Sequence, residues 1–150
     1  MRLHAVPCTP ELLVAVKRPT SVGRPDTRGN VLDDPQGPAF LFTYARALLA
    51  DDVPVAVIGI CPRWQGVCYG FAILSDEARS QHKLSMTREA QRWLRFAEET
   101  LGMRRIEAAI EPCDRAAIEW VEMLGFEPEG VMSQFGPGGV GDFILYARLS

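Results

Sequence analysis

The sequence predicts an α/β domain, a mixed sheet with helices packed on it. Three observations carry that reading. Residues 104–126 read as strand, short turn, capped helix and glycine stop. Residues 87–101 carry apolar side chains at helical spacing. Apolar runs before and after these two segments complete an order of strands, helix, strand, helix, hairpin.

Taken from the start, Arg2 to Val6 is an edge-strand candidate, and Thr9 is placed to cap a short helix from Glu11 to Lys17. Leu12, Leu13 and Val16 would form its apolar side, and Pro19 ends it. Residues 20–38 are rich in Gly, Pro, Asp and Arg and have no period, so they read as a long irregular loop. A loop of that length either serves the function or is a surface insertion. Phe40 to Tyr44 fits helix or strand. Arg46 to Ala50 and Pro54 to Cys61 flank Asp51-Asp52, which predicts an antiparallel hairpin. The near-continuous Val57-Ile58-Gly59-Ile60 run predicts a strand covered on both faces. Pro62 to Gly66 is expected to turn the chain, and Val67 to Leu74 to form the next strand.

From Thr87 to Leu101, Ala90, Trp93, Leu94, Ala97 and Leu101 share a helix face. Arg88, Glu89, Arg92, Arg95, Glu98 and Glu99 would cover the wet side, with Arg95 and Glu99 at ion-pair spacing. Gly102 is the expected stop. Next, Ile106, Ala108 and Ile110 alternate with Glu107, Ala109 and Glu111, the period of a strand. Pro112 ends the ladder. Asp114 caps a helix whose Ala117, Val121 and Leu124 share a face, and Gly125 stops it. Glu127 to Gly130 reads as a turn. Val131 to Phe135 and Asp142 to Arg148 read as strands joined by a Gly-Pro-Gly-Gly loop.

A chain of 150 residues with 47% apolar residues can bury one ordinary core, so a single domain over 1–150 is expected. The net charge of −3 is spread along the chain, which argues against a nucleic-acid footprint. No run is long and apolar enough for a membrane span, and the first residues do not resemble a signal peptide. A cytoplasmic protein with no membrane partner is the expectation. Cys8, Cys61, Cys68 and Cys113 are scattered, with only His4 and His82 to help them, so no metal site and reduced thiols are expected.

The string from Arg104 to Phe126 resembles the later half of the GNAT (GCN5-related N-acetyltransferase) family. Ala117-Ile118 and Leu124-Gly125-Phe126 match the family pattern. Asp114 stands where the family usually has Asn, and Val121 where it usually has the Tyr that protonates the departing thiolate. The tail Phe135-Gly136-Pro137-Gly138-Gly139 before an aromatic strand is similar to degenerate GNAT-like proteins of tailed bacteriophages, some of them internal virion proteins. The resemblance covers roughly residues 44–149. It implies a mixed, mostly antiparallel sheet with helices on both faces and a splay between the fourth and fifth strands. It also implies acetyl-CoA as cofactor and a small-molecule amine or a protein amino group as acceptor. For the phage lineage it implies a homodimer or virion partner, in the host cytoplasm or the virion.

In that family the pyrophosphate of acetyl-CoA rests on a turn after the fourth strand, where glycines let backbone amides approach. The matching residues here are Arg79, Ser80, Gln81, His82 and Lys83. Arg79 fits the first motif position, while His82 and Leu84 fill positions where small residues are expected. The turn is electropositive but crowded. Either its side chains hold a phosphate, or it is a polar loop that has lost its ligand. By the same resemblance, the amides of Ile73 or Leu74 would polarise the thioester carbonyl.

For the base that takes the ammonium proton, Glu111 is the first candidate, since it closes the fifth strand. Glu77 and Asp76 come next, and Asp114 could serve instead of capping. No residue matches the acid. Tyr69 or Tyr146 would have to substitute from elsewhere, and nothing in their spacing argues for it; Trp93 and Trp120 read as core or rim aromatics.

Overall fold

The computed structural model describes residues 3–16 and 44–150. The expected loop at 20–38 and residues 40–43 of the ambiguous Phe40 to Tyr44 stretch lie outside the described residues.

Strand β1 (Leu3–Pro7) is followed by helix α1 (Pro10–Ala15). The Thr9 hydroxyl accepts from the Leu12 amide at 3.3 Å, and a proline opens the helix, where its missing N–H costs nothing. Strand β2 (Ala45–Ala50) turns into β3 (Val53–Trp64) through Asp51 and Asp52. Both aspartates have positive φ, 47° and 66°, the backbone of a two-residue hairpin. Seven consecutive residues of β3, Val55 to Cys61, are buried, so this strand is covered on both faces as expected. Gly59 is required there: a Cβ would sit 2.3 Å from the Tyr44 carbonyl oxygen. The strand does not turn at Pro62. It runs on to Trp64, because its last residues are exposed and a proline is tolerated at that margin.

Strand β4 (Val67–Leu74) matches its expected span. A helix then begins at once. α2 (Asp76–Gln81) follows a Ser75 cap, and α3 (Lys83–Glu99) starts two residues after α2 ends. The sequence had placed a plain turn there. Met86, Ala90, Leu94 and Ala97 form the buried stripe of α3. Glu89 does not join the wet face. It is buried and lies 3.0 Å from Arg46 of β2, an ion pair whose geometry is not that of an aligned hydrogen bond. Burying a carboxylate is tolerated only with such a partner. Glu98 likewise pairs across space, with Arg148 at 2.7 Å.

Strand β5 (Arg105–Ile110), helix α4 (Arg115–Met123), strand β6 (Glu127–Met132) and strand β7 (Phe143–Leu149) complete the chain. β6 begins four residues before its expected start. Nearly every residue of it is exposed, so no alternation marked it, and its pairing with β7 defines it. Between β6 and β7, Gly136 is irreplaceable: a Cβ would meet the Val140 carbonyl oxygen.

The sheet order is β1-β2-β3-β4-β5-β7-β6. β1 with β2, β2 with β3, β5 with β7 and β6 with β7 pair antiparallel, and β4 with β5 is parallel. That parallel register covers Val67↔Arg105 to Tyr69↔Glu107 and stops there, although β4 runs on to Leu74 and β5 to Ile110. This is the mostly antiparallel sheet with a parting fourth and fifth strand that the sequence led us to expect.

The chain forms two compact units. The first takes the residues up to Cys61 together with Gly70–Trp93, the second Pro62–Tyr69 with Leu94–Ser150. In the first, Cys8, Leu13, Val16, Ala45, Ala47 and Val57 make a closed apolar cluster, with Phe71 and Ile73 against it. In the second, Ile106, Ala108, Val121, Leu124, Phe126 and Tyr146 are buried. No helix among the described residues is long and apolar enough to cross a membrane.

Candidate functional site

The structure collects the candidate residues in two places, one in each unit.

In the first unit they follow β4. Ile73 and Leu74 are the last two residues of that strand, half-buried. Ser75 leaves the strand with its amide donating to the Val55 carbonyl at 2.9 Å. Its hydroxyl accepts from the Ala78 amide at 3.1 Å and so starts α2. Arg79 lies in the last turn of α2. Its amide donates to Ser75, and the His82 amide to Ala78. Those two amides are therefore committed to helical bonds. Ser80 is committed too, its hydroxyl donating to the Asp76 carbonyl at 2.9 Å. Gln81 is exposed.

What remains is the start of α3. The first bond of its ladder runs from the Met86 amide to the His82 carbonyl, 3.0 Å. The amides of Lys83, Leu84 and Ser85 precede that bond and have no carbonyl within the helix to pair with. A helix of 17 residues places the positive end of its dipole at these three amides. Lys83 is exposed beside them. These groups fit a phosphate: three amides, one cation and a helix dipole converge in sign. They do not reproduce a glycine cradle, since α2 has absorbed the amides that such a loop would present. His82, at the junction, is buried, with Nε2 3.5 Å from a carboxylate oxygen of Glu77. Asp76, the other carboxylate weighed as a base, is exposed in the first turn of α2.

In the second unit the candidates follow β5. Glu111 is 9% exposed, a buried carboxylate one residue beyond the strand. Its backbone carbonyl accepts from the Asp114 amide at 3.0 Å, which folds the turn. The Cys113 thiol donates to its Oε2 at 3.9 Å. Asp114 is buried as well, and its Oδ1 accepts from the Ala117 amide at 3.1 Å. The side chain weighed as an alternative base is thus engaged as the cap of α4.

The position of the family acid is closed. Val121 is buried in α4. Tyr146 is 2% exposed and donates its hydroxyl to Glu122 at 3.1 Å. Burial above all, then that hydrogen bond and the Glu122 charge, push its phenol up from the ordinary tyrosine range. Such a group holds its proton. The Tyr69 ring is faced by the Arg63 guanidinium, 5.8 Å from its centre.

The four thiols separate by burial. Cys8, Cys61 and Cys68 are buried and Cys113 is exposed. Burial pushes Cys8 and Cys61 up to about 11, which leaves them as inert thiols. Among the described residues, no group of three His, Cys, Asp or Glu is arranged to hold a metal ion.

No signal in the sequence separated Glu111, buried, from Glu107, which pairs with Arg105 and Arg63. The Ser75 cap did carry one. A serine followed by two acidic residues is a helix start, and it was readable.

No family model matches the chain, and no curated protein matches it by sequence. Solved structures do. Ard1 from Thermoplasma volcanium superposes with a TM-score of 0.74 at 12% identity, over 98% of this chain and 97% of that one. A GNAT-family acetyltransferase from Bacillus anthracis gives 0.61 at 19% identity, over 83% of this chain and 73% of that one. A mutant of spermidine N-acetyltransferase SpeG from Vibrio cholerae gives 0.58 at 17% identity, over 71% of this chain and 66% of that one. At these identities the likeness establishes architecture: the chain has the fold of the GNAT acetyltransferases.

Proposed function

We propose that the protein is an acetyl-CoA-dependent N-acetyltransferase acting on an amine, with a small molecule or a protein amino group as acceptor. One observation carries this reading. The helix that follows the parting strand, α3, opens on three amides that no side chain caps among the described residues, in a fold shared with GNAT acetyltransferases. A side-chain cap at that point would close the site to an anion.

Acetyl-CoA, when bound, supplies an acetyl group already activated as a thioester. Lys83 and the amides of Lys83, Leu84 and Ser85 would hold its pyrophosphate. Arg79 adds a cation from the last turn of α2. Ile73 and Leu74 supply the strand-end amides assigned to the thioester carbonyl. Glu111 is the base, a buried carboxylate suited to take a proton from an ammonium group. No tyrosine stands ready as acid, so the leaving thiolate would take its proton from water.

A second reading has its own support. The buried Val121 and the tethered Tyr146 remove the usual acid, and α2 removes the glycine turn. Both losses favour a non-catalytic relative, a phage virion or host-interaction protein that keeps the fold and binds a partner.

Thermal melting with and without acetyl-CoA separates the two. Ligand at 100 times its dissociation constant stabilises a protein by about 2.7 kcal/mol. A clear rise in melting temperature, absent in Arg79→Glu, is the expected result. No rise at millimolar acetyl-CoA removes the enzyme and leaves the partner-binding reading.

A further inference from the structure

His82 presents an unusual arrangement. It is 9% exposed, and its Nε2 has no hydrogen-bond partner among the described residues. Glu77 Oε1 lies 3.5 Å from it, too far for a hydrogen bond. A buried polar atom left in this state calls for an explanation. It also stands immediately before the uncapped amides of α3.

The two helices that meet at the junction carry charges of both signs. Asp76 and Glu77 are the anions and Arg79 the cation of α2; Lys83 and Arg88 are the cations at the start of α3. Glu89, two turns into α3, is taken by Arg46 of β2. Glu77 thus lies against His82, 3.5 Å from its Nε2, on the helix that ends where α3 begins. With a neutral imidazole, its charge opposes any phosphate at the α3 start. With an imidazolium, the pair is neutral and Nε2–H becomes a donor whose bond Glu77 and the ligand can compete for.

We propose that Glu77 and His82 form a proton-operated gate on the phosphate site of α3, closed when His82 is neutral and open when it is charged. The gate rests on the phosphate reading of that helix start, and it makes donor binding, not the chemical step, the quantity that acidity controls. It also accounts for a histidine where a compact backbone turn would call for a small residue. The side chain supplies conditional charge in place of close approach.

The probe is dephospho-coenzyme A, a pyrophosphate diester whose own charge is constant between pH 5.5 and pH 8. Its affinity for the full chain is measured by calorimetry at both values. About a tenfold tighter binding at the lower pH is expected, the scale of one charge next to a helix start in a partly buried site. His82→Gln should bind equally at the two values, at the weaker level. Glu77→Gln should bind more tightly at pH 8 and lose most of the slope. The chain has one other histidine, His4, exposed on β1, so a slope abolished by His82→Gln belongs to this pair. Equal affinity at both pH values in the unaltered protein overturns the gate and leaves the phosphate site standing. A slope that persists in His82→Gln also overturns it. No binding at either pH removes the gate and the phosphate site together.

Discussion

β4 and β5 each run out into a turn that starts a helix, and the two turns solve the same problem in opposite ways. After β5, the chain takes three residues, and Asp114 accepts the Ala117 amide within α4. The start of that helix is closed by its own sequence. After β4, Ser75 closes α2 in the same manner, but the chain then breaks at His82 and begins a second helix with no such acceptor among the described residues. The closed starts contribute stability. The open start leaves three donors with no acceptor among the described residues, which is the arrangement an anion can use. The difference teaches that a helix start becomes a site by what is withheld from it. Across the comparison, Glu111 is a buried carboxylate that the Cys113 thiol reaches, whereas Glu107 is paired with Arg105 and Arg63.

The sharpest way to break this comparison is at Glu111. If the β5 turn holds the base, Glu111→Gln lowers kcat/KM by about 10²- to 10⁴-fold. The melting temperature should stay within a degree or two, because the amide fills the same volume. Steady-state rates with a polyamine and with a lysine peptide as acceptors would read this. An unchanged rate places the base elsewhere, with Glu77 next in line.

The capping contrast gives the next effect. Asp114→Ala removes a buried cap and should cost about 1 to 2 kcal/mol. Ser75→Ala, at a six-residue helix, should cost about 1 kcal/mol or less. Neither should alter dephospho-coenzyme A affinity. By contrast, His82→Asp would supply α3 with the acceptor it lacks. It should stabilise the chain slightly and abolish anion binding. Denaturant melts paired with calorimetry would separate the three, and anion binding that survives His82→Asp would contradict the open-start account.

The two turns also differ in how far the sequence displayed them. The β5 turn was legible almost residue by residue. Ile106 and Ala108 alternate with polar neighbours, Pro112 ends the ladder, Asp114 is a strong cap, and Gly125 takes a φ of 91°. Each of those signals is local. The β4 turn was legible only in its Ser75 cap, because α2 buries only Ala78 and so carries no apolar stripe. The Glu77–His82 contact was hidden for a related reason. Five residues apart is not a helix-face spacing, and the contact exists because the helix breaks between them. Glu89 escaped notice because a charge on a helix is read as wet until its partner is known, and Arg46 lies 43 positions earlier in the chain. The first four residues of β6 escaped because an exposed edge strand shows no alternation.

The smallest expected effect uses the thiols to tell the turns apart. Cys113 sits in the β5 turn and is exposed, while Cys8, Cys61 and Cys68 are buried. A neutral thiol reagent at pH 8 should therefore modify one cysteine of four in the native protein, and all four after denaturation. The adduct would stand beside Glu111, whose carboxylate the thiol touches. If the β5 turn is the acceptor side, modification should slow turnover several-fold and leave dephospho-coenzyme A affinity at α3 unchanged. Cys113→Ser should be insensitive to the reagent and keep its rate, since the hydroxyl can donate to the same oxygen. Modification that weakens donor binding instead, with Cys113→Ser resistant, would mean that the β5 turn and the α3 start do not divide the work in the way their caps suggest.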